Sequence, residues 1–156
     1  MTPSSSAPDF ELRPVESTDA AALERILQSA ALRDRLYPLA SPSIGLSDAV
    51  ADWLEDRADK FAMICRLREG GEAAGLVRID GWQVAFAVRE GSRDRGLATA
   101  MVHRLLSEHV GPGRLEARVE RRNVASQRVL QKTGFRFNGV ENPPAGPARL
   151  MYVRER

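Results

Sequence analysis

The residues whose types and spacing suit chemistry stand in two short runs. In the first, Arg93-Asp94-Arg95-Gly96-Leu97-Ala98, a glycine sits where a loop turns into a helix. Gly96 lets the backbone come close to a ligand, and the amides of about Arg95 to Thr99 point outward along the positive end of the helix. A diphosphate needs several donors in fixed geometry, which these amides supply, while the guanidinium groups of Arg93 and Arg95 add charge-assisted contacts. The run has neither the Gly-Lys-Ser/Thr ending of the Walker phosphate loop nor the second glycine pair of the dinucleotide fingerprint, which excludes both. The plainer reading is an ordinary glycine at the start of a helix.

The second run, Asn123-Val124-Ala125-Ser126 continuing to Lys132-Thr133-Gly134-Phe135, places two polar residues at the start of a short helix. Its apolar positions Val129 and Leu130 turn inward before Gly134 stops it. A phosphate cradle beside a second helix start fits a cofactor that carries phosphates and needs its other end positioned. Coenzyme A has that form.

These residues resemble the GNAT superfamily of acetyl-CoA-dependent N-acetyltransferases. The family's signature is Arg/Gln-x-x-Gly-x-Gly/Ala opening a helix, and Arg93, Gly96 and Ala98 fill those positions. The downstream run from Asn123 through Ser126, Val129, Leu130 and Lys132 to Gly134 and Phe135 is similar to the branch that includes the ribosomal-protein-alanine N-acetyltransferases. Phe10-Glu11-Leu12-Arg13-Pro14 followed by Ser17-Thr18-Asp19-Ala20 is similar to the family's opening strand and helix cap, so the resemblance covers nearly the whole chain.

The resemblance implies a central, mostly antiparallel sheet whose fourth and fifth strands splay. Pantetheine would lie in the gap against the exposed edge Phe86, Ala87 and Val88, with Arg93, Arg95, Gly96, Leu97, Ala98, Thr99 and Asn123 completing the cofactor site. A backbone amide on that edge would bind the oxyanion that forms as an amine attacks the thioester directly, with both reactants bound at once. The leaving thiolate gains from a proton donor. Many family members carry a tyrosine seven positions after the asparagine, where this chain has Leu130. Ser126 is the natural substitute, as in the alanine N-acetyltransferase branch; the competing reading makes it a helix cap. The attacking amine must be neutral, and where the family often places a glutamate at the start of the fourth strand this chain has Trp82 and Gln83. Asp80 is the nearest carboxylate along the chain, Glu116 and Glu141 are rivals, and water alone suffices for an acceptor of modest pKa. Each of the three acids also reads as a solvated or ion-paired surface group.

At 156 residues the chain fits a single domain with a core that needs neither metal nor disulfide. Cys65, the lone cysteine, lies in the apolar run Phe61-Ala62-Met63-Ile64-Cys65 and reads as a buried structural thiol. His103 and His109 have no cysteine or carboxylate at metal-ligand spacing, so no metal is expected. The net charge is +2, and all of the 23 basic residues except Lys60 and Lys132 are arginine. The 21 acidic residues are interleaved with them, which describes a mixed-charge surface rather than a nucleic-acid patch. No amino-terminal signal and no bilayer-length apolar stretch is present, so a cytoplasmic protein is expected. Residues 1–8 read as a loose tail and residues 9–156 as the domain.

The elements that must position these groups follow from periodicity. A strand at Phe10 to Pro14 precedes a helix capped by Ser17-Thr18-Asp19, with Ala22, Leu23, Ile26 and Leu27 on one face. Leu36 to Gly45 is loop, and a second helix is predicted from Ser47 to about Lys60; the family resemblance implies that this region lies over the acceptor site, so Tyr37 and Trp53 line the substrate pocket or pack in the core. Phe61 to Arg68 and Ala73 to Asp80 form a hairpin, and Gln83 to Val88 the next strand. A helix from Gly96 to about His109 buries Leu97, Met101, Leu105 and Leu106. A strand at Leu115 to Val119, a helix from Val124 to Lys132, and strands at Phe135 to Val140 and Ala148 to Arg154 complete a mixed α/β (α+β) domain.

The expected activity is transfer of acetyl from acetyl-CoA to a primary amine, either a protein amino terminus or a small amine, by a monomer or homodimer that binds no membrane. The rival from another class is a sensor or partner module that binds acyl-CoA without turnover, favoured by the absence of the usual tyrosine and glutamate. Arginine-driven nucleic-acid binding is a third reading and predicts steep salt dependence.

Overall fold

In a computed structural model residues 8–26, 60–92, 95–108, 113–142, 144 and 148–155 are described. The helix expected to end near Lys60, Tyr37, Trp53, the Leu36 to Gly45 loop, Arg93, His109 and residues 143 and 145–147 lie outside them. The strands are β1 (Phe10–Pro14), β2 (Lys60–Leu67), β3 (Ala73–Asp80), β4 (Gln83–Val88), β5 (Arg114–Glu120), β6 (Arg136–Glu141) and β7 (Arg149–Glu155). The described helices are α1 (Ala20–Ile26), α2 (Leu97–Glu108) and α3 (Val124–Lys132).

The seven strands form one sheet in the order β1-β2-β3-β4-β5-β7-β6. Every neighbouring pair is antiparallel except β4 and β5, which run parallel and share a single register pair, Gln83 opposite Glu116. The amide of Glu116 donates to the carbonyl of Trp82 at 2.8 Å, which fastens the two strands at one end only. The splay implied by the family resemblance is therefore present: past this bridge no further register pair joins β4 to β5 among the described residues.

Alternation along the strands distributes side chains to two cores. On one face, Ile64, Leu76 and Ala87 stand opposite one another across β2, β3 and β4 and pack with Val15 and with Leu23 and Ile26 of α1. On the other, Met63, Cys65, Val77 and Val88 meet Leu97, Met101, Val102, Leu105 and Leu106 of α2 and Leu130 of α3. Leu115, Ala117 and Val119 of β5 are buried in this second core, while Glu116, Arg118 and Glu120 alternate onto the face that carries α1. Arg104 of α2 ties in β1, with its guanidinium 3.9 Å above the ring of Phe10 and a hydrogen bond of 3.0 Å to the Phe10 carbonyl.

The start of α1 differs from the sequence-based expectation. Ser17, Thr18 and Asp19 form a 3₁₀ turn ahead of the helix, and the capping box runs between Glu16 and Asp19. Asp19 is drawn inward because Arg13 grips both of its carboxylate oxygens, at 2.8 and 3.0 Å, and the Glu16 amide donates to it at 2.7 Å. The serine and threonine are left exposed.

Candidate active site

Two cavities meet on the open edge of β4. The wide arm, about 350 Å³, runs along Phe86, Ala87 and Val88, past Ser92, Gly96, Ala98 and Thr99, and along α3 from Asn123 to Lys132. The narrow arm, about 90 Å³, takes Arg78, Val84 and Ala85 from one side of the gap and Arg118, Glu120 and Arg149 from the other. Phe86, Asn123 and Ser126 line both arms, so these residues mark the point where they join.

Backbone direction makes the β4 edge useful. The Arg89 amide donates to the Ala74 carbonyl at 2.7 Å, which assigns Arg89, Ala87 and Ala85 to the β3 ladder. In an antiparallel pair such bonding alternates, so the amides of Phe86 and Val88 face the gap. Backbone donors that face a cavity from a strand edge bind ligand carbonyls.

The wide arm ends at the start of α2. Gly96 has φ +75°, a conformation that costs a non-glycine residue, and the helix begins one residue later at Leu97. Its first amides are thus presented to the cavity with nothing from within the helix to accept them. Leu97 is fully buried, so only its backbone serves the site. Ala98 and Thr99 line the cavity; Arg95 is exposed and does not. Arg128 and Lys132, one helical turn apart on α3, add two cations to the wall. Both belong to the downstream run, but nothing in their spacing alone distinguishes them from a solvated helix face.

The start of α3 is rigidly held. Asn123, buried and at the N-cap, accepts a hydrogen bond from the Ser126 amide on its side-chain oxygen at 3.2 Å. Gln127 donates to the Arg121 carbonyl at 2.8 Å and accepts from the Tyr152 hydroxyl at 3.4 Å. At the other end Thr133 donates to the Val129 carbonyl at 2.8 Å, and Gly134, with φ +94°, ends the helix. Asn123 is therefore the cap, and Ser126 receives that cap rather than providing it. Among the described residues the Ser126 hydroxyl has no hydrogen-bond partner, and the residue is half-buried at the junction of the arms.

The acids distribute unevenly. Asp80 ends β3, opposite Gln83 and Lys60, and its side chain lies outside the described ones. Glu141 accepts from Arg118 Nε at 3.0 Å, and Glu116 approaches Arg114 and Arg118 at 3.9 and 4.0 Å. Glu120 is the carboxylate that lines the narrow arm. Sequence reading missed it, although it lies two strand positions beyond Arg118 and four beyond Glu116 and so shares their face. Arg78, Arg118 and Arg149 were missed as well, because arginines are scattered through the chain and only the sheet order collects these three.

Residues 9–136 match the acetyltransferase (GNAT) domain family. The chain belongs to the GNAT acetyltransferase family. It is an N-acetyltransferase by class. Solved structures with the same fold include a spermidine N-acetyltransferase chimera of Vibrio cholerae SpeG and hSSAT (TM-score 0.74, 11% identity, covering 94% of this chain and 95% of that one). AAC(6′)-Ib in complex with ribostamycin and coenzyme A aligns with TM-score 0.71 and 19% identity over 95% and 94% of the two chains. The ribosomal-protein-S5-alanine acetyltransferase from Vibrio fischeri aligns with TM-score 0.71 and 14% identity over 94% and 92%. At these identities the likeness establishes the GNAT fold and leaves the acceptor open. No curated protein matches the chain by sequence. No described helix of this GNAT chain is long and apolar enough to cross a membrane.

Proposed function

We propose that this GNAT enzyme transfers acetyl from acetyl-CoA to a primary amine in a ternary complex, with the cofactor in the wide arm and the acceptor entering by the narrow one. The observation that carries this reading is the single fastening of β4 to β5 at Gln83 and Glu116, which leaves the Phe86 and Val88 amides facing a cavity that ends at the amides of α2. The site fits the cofactor's chemistry. Pantetheine amides pair with the open β4 edge. The diphosphate sits at the start of α2, on the amides after Gly96 and beside Arg128 and Lys132.

The amine attacks the thioester carbonyl, and a gap-facing β4 amide holds the oxygen as it gains charge. The carbon–sulfur bond then breaks, and Ser126 gives a proton to the departing sulfur and regains one from water. The proton lost by the amine goes to a carboxylate or to water. Glu120 takes this role in preference to Glu116 or Glu141, because it alone of these three lines the arm. A protein amino terminus and a small amine both suit this chemistry, and a soluble cytoplasmic enzyme is consistent with it.

The test is calorimetric titration with acetyl-CoA together with thiol release over a panel of amines, repeated with Ser126→Ala. Turnover in the parent and a fall of about 10²-fold in kcat for the variant, with acetyl-CoA affinity unchanged, is the expected result. Absence of acetyl-CoA binding by the parent overturns the reading of the wide arm. Equal kcat in the variant removes Ser126 from the chemistry.

A further inference from the structure

The apolar side of the sheet runs past β7 onto an uncovered strand. β6 ends the sheet, with β7 its one strand neighbour among the described residues, and on it Phe137 and Val140 are 57% and 43% exposed. Phe137 pairs with Tyr152 and Val140 with Leu150; those β7 residues lie two positions apart and share a face. In a regular strand Phe137 and Val140, three positions apart, would point to opposite faces. The bulge between them, with Gly139 at φ +109°, brings both to one face. That face belongs to the second core, which includes Tyr152 and Leu150, and the Phe137 ring meets Tyr152 edge-on at 6.0 Å.

The strand is also self-complementary. Phe137 and Val140 stand at equal distances from the midpoint between Asn138 and Gly139, and so do Arg136 and Glu141. Laid antiparallel against a copy of itself about that midpoint, β6 sets Phe137 opposite Val140 of the partner subunit and Arg136 opposite Glu141 of the partner subunit, each pair occurring twice by symmetry. Aromatic with β-branched pairs and opposite-charge pairs are favourable cross-strand combinations. Arg136 is exposed and enters no ion pair among the described residues. Glu141 accepts from Arg118 on one oxygen and keeps acceptor capacity on the other. We infer that β6 is a homodimer interface, which pairs antiparallel with β6 of a second copy and joins two sheets edge to edge. An unrelated extended peptide could bond the same backbone edge, but it would have to carry this ordered pattern of charge and apolar surface, which a second copy supplies by symmetry.

One strand pair makes a small interface, so a dissociation constant of about 10 μM is expected. Sedimentation equilibrium of the parent from about 1 to about 200 μM should then pass from monomer to dimer. Phe137→Lys should weaken the dimer about tenfold or more. Arg136→Glu, which sets like charges opposite one another, should weaken it by a similar factor that shrinks as salt is raised from about 50 to about 500 mM. Both side chains are exposed, so the circular dichroism spectrum should be preserved. Asn138→Cys gives a readout that removes neither pair: its thiol, next to the two-fold axis, should form a disulfide between copies where the parent associates, while the fully buried Cys65 stays unreactive. A parent that remains monomeric over the range overturns the inference. So does a dimer that Phe137→Lys and Arg136→Glu both leave unchanged, one in which Asn138→Cys stays unlinked, or an assembly that grows beyond two copies, since a two-fold contact is closed. None of these measurements needs acetyl-CoA, so the result is independent of the reading of the cavities.

Discussion

Gln83 and Glu116 stand side by side as the one register pair between β4 and β5, and past them the two strands part. The consequence is a β4 edge bonded on one side, with the Phe86 and Val88 amides turned into the gap. Phe86→Pro deletes one of those donors without removing a bond of the β3 ladder, and proline is tolerated on the open side of an edge strand. We expect kcat/KM to fall by about 10²-fold or more while the circular dichroism spectrum is preserved, because the lost donor serves the pantetheine or the oxyanion. Undiminished kcat/KM in a folded variant would remove the Phe86 amide from the site.

Asn123 ties the stability of α3 to the shape of the junction. Its side-chain oxygen satisfies the Ser126 amide at 3.2 Å, at the point where both arms of the cavity meet. Asn123→Ala is expected to lower unfolding free energy by about 1 kcal/mol, the usual cost of losing a cap, and to raise the KM for acetyl-CoA, because Ser126 and the first turn of α3 lose their fixed position. Asn123→Asp keeps an acceptor at the cap and should recover most of the stability in urea unfolding. Loss of stability equal to that of the alanine variant would show that capping is not what Asn123 contributes.

Much of this was legible in the residues themselves. The strand order could not be read from the chain, but the elements could: period-two apolar runs marked β2 to β5, and Asn123 with Gly134 bracketed α3 to its observed ends. The start of α1 was misplaced because Ser and Thr are strong caps in general, whereas here Arg13 and Arg66, from neighbouring strands, pull Asp19 inward and move the box to Glu16. The wide arm was legible because its parts are contiguous in sequence. The narrow arm was not, since Arg78, Glu120 and Arg149 come from three strands that only the insertion of β7 between β5 and β6 brings to one face.

Asp19 makes stability depend on pH in a defined direction. Hydrogen bonding from Arg13 is the main reason its carboxyl lies below the ordinary value of 3.8; burial opposes this, and the Glu16 amide and the charges of Arg13 and Arg66 add to it. A lowered folded-state pKa means that the stabilisation is fully present above the unfolded-state value and is lost as pH falls from there through the folded value. Asp19→Asn should therefore cost about 2 kcal/mol at pH 7, from lost charge-assisted hydrogen bonds. The difference between parent and variant should shrink below about pH 4. Denaturant midpoints measured from pH 7 to pH 3 give the test, and a difference that stays constant over that range refutes the role assigned to the ionised group.

Cys65 titrates in the opposite sense. It is fully buried on β2, and burial pushes its thiol up to about 12, with the charge of Arg104 acting weakly against this. The thiolate is the reactive species, so the native protein should react with a disulfide reagent at pH 8 far more slowly than the same protein in denaturant, by about 10³-fold. Because the folded pKa is raised, the unfolded chain releases the proton first as pH increases. Stability contributed by the protonated thiol is thus present below the unfolded value and declines from there up toward 12. Cys65→Ala removes that decline and costs about 1 to 2 kcal/mol for the cavity it leaves among Met63, Val77 and Met101. Rapid labelling of the folded protein at neutral pH would show that β2 opens locally, and with it the core on which α2 and its phosphate-facing amides depend.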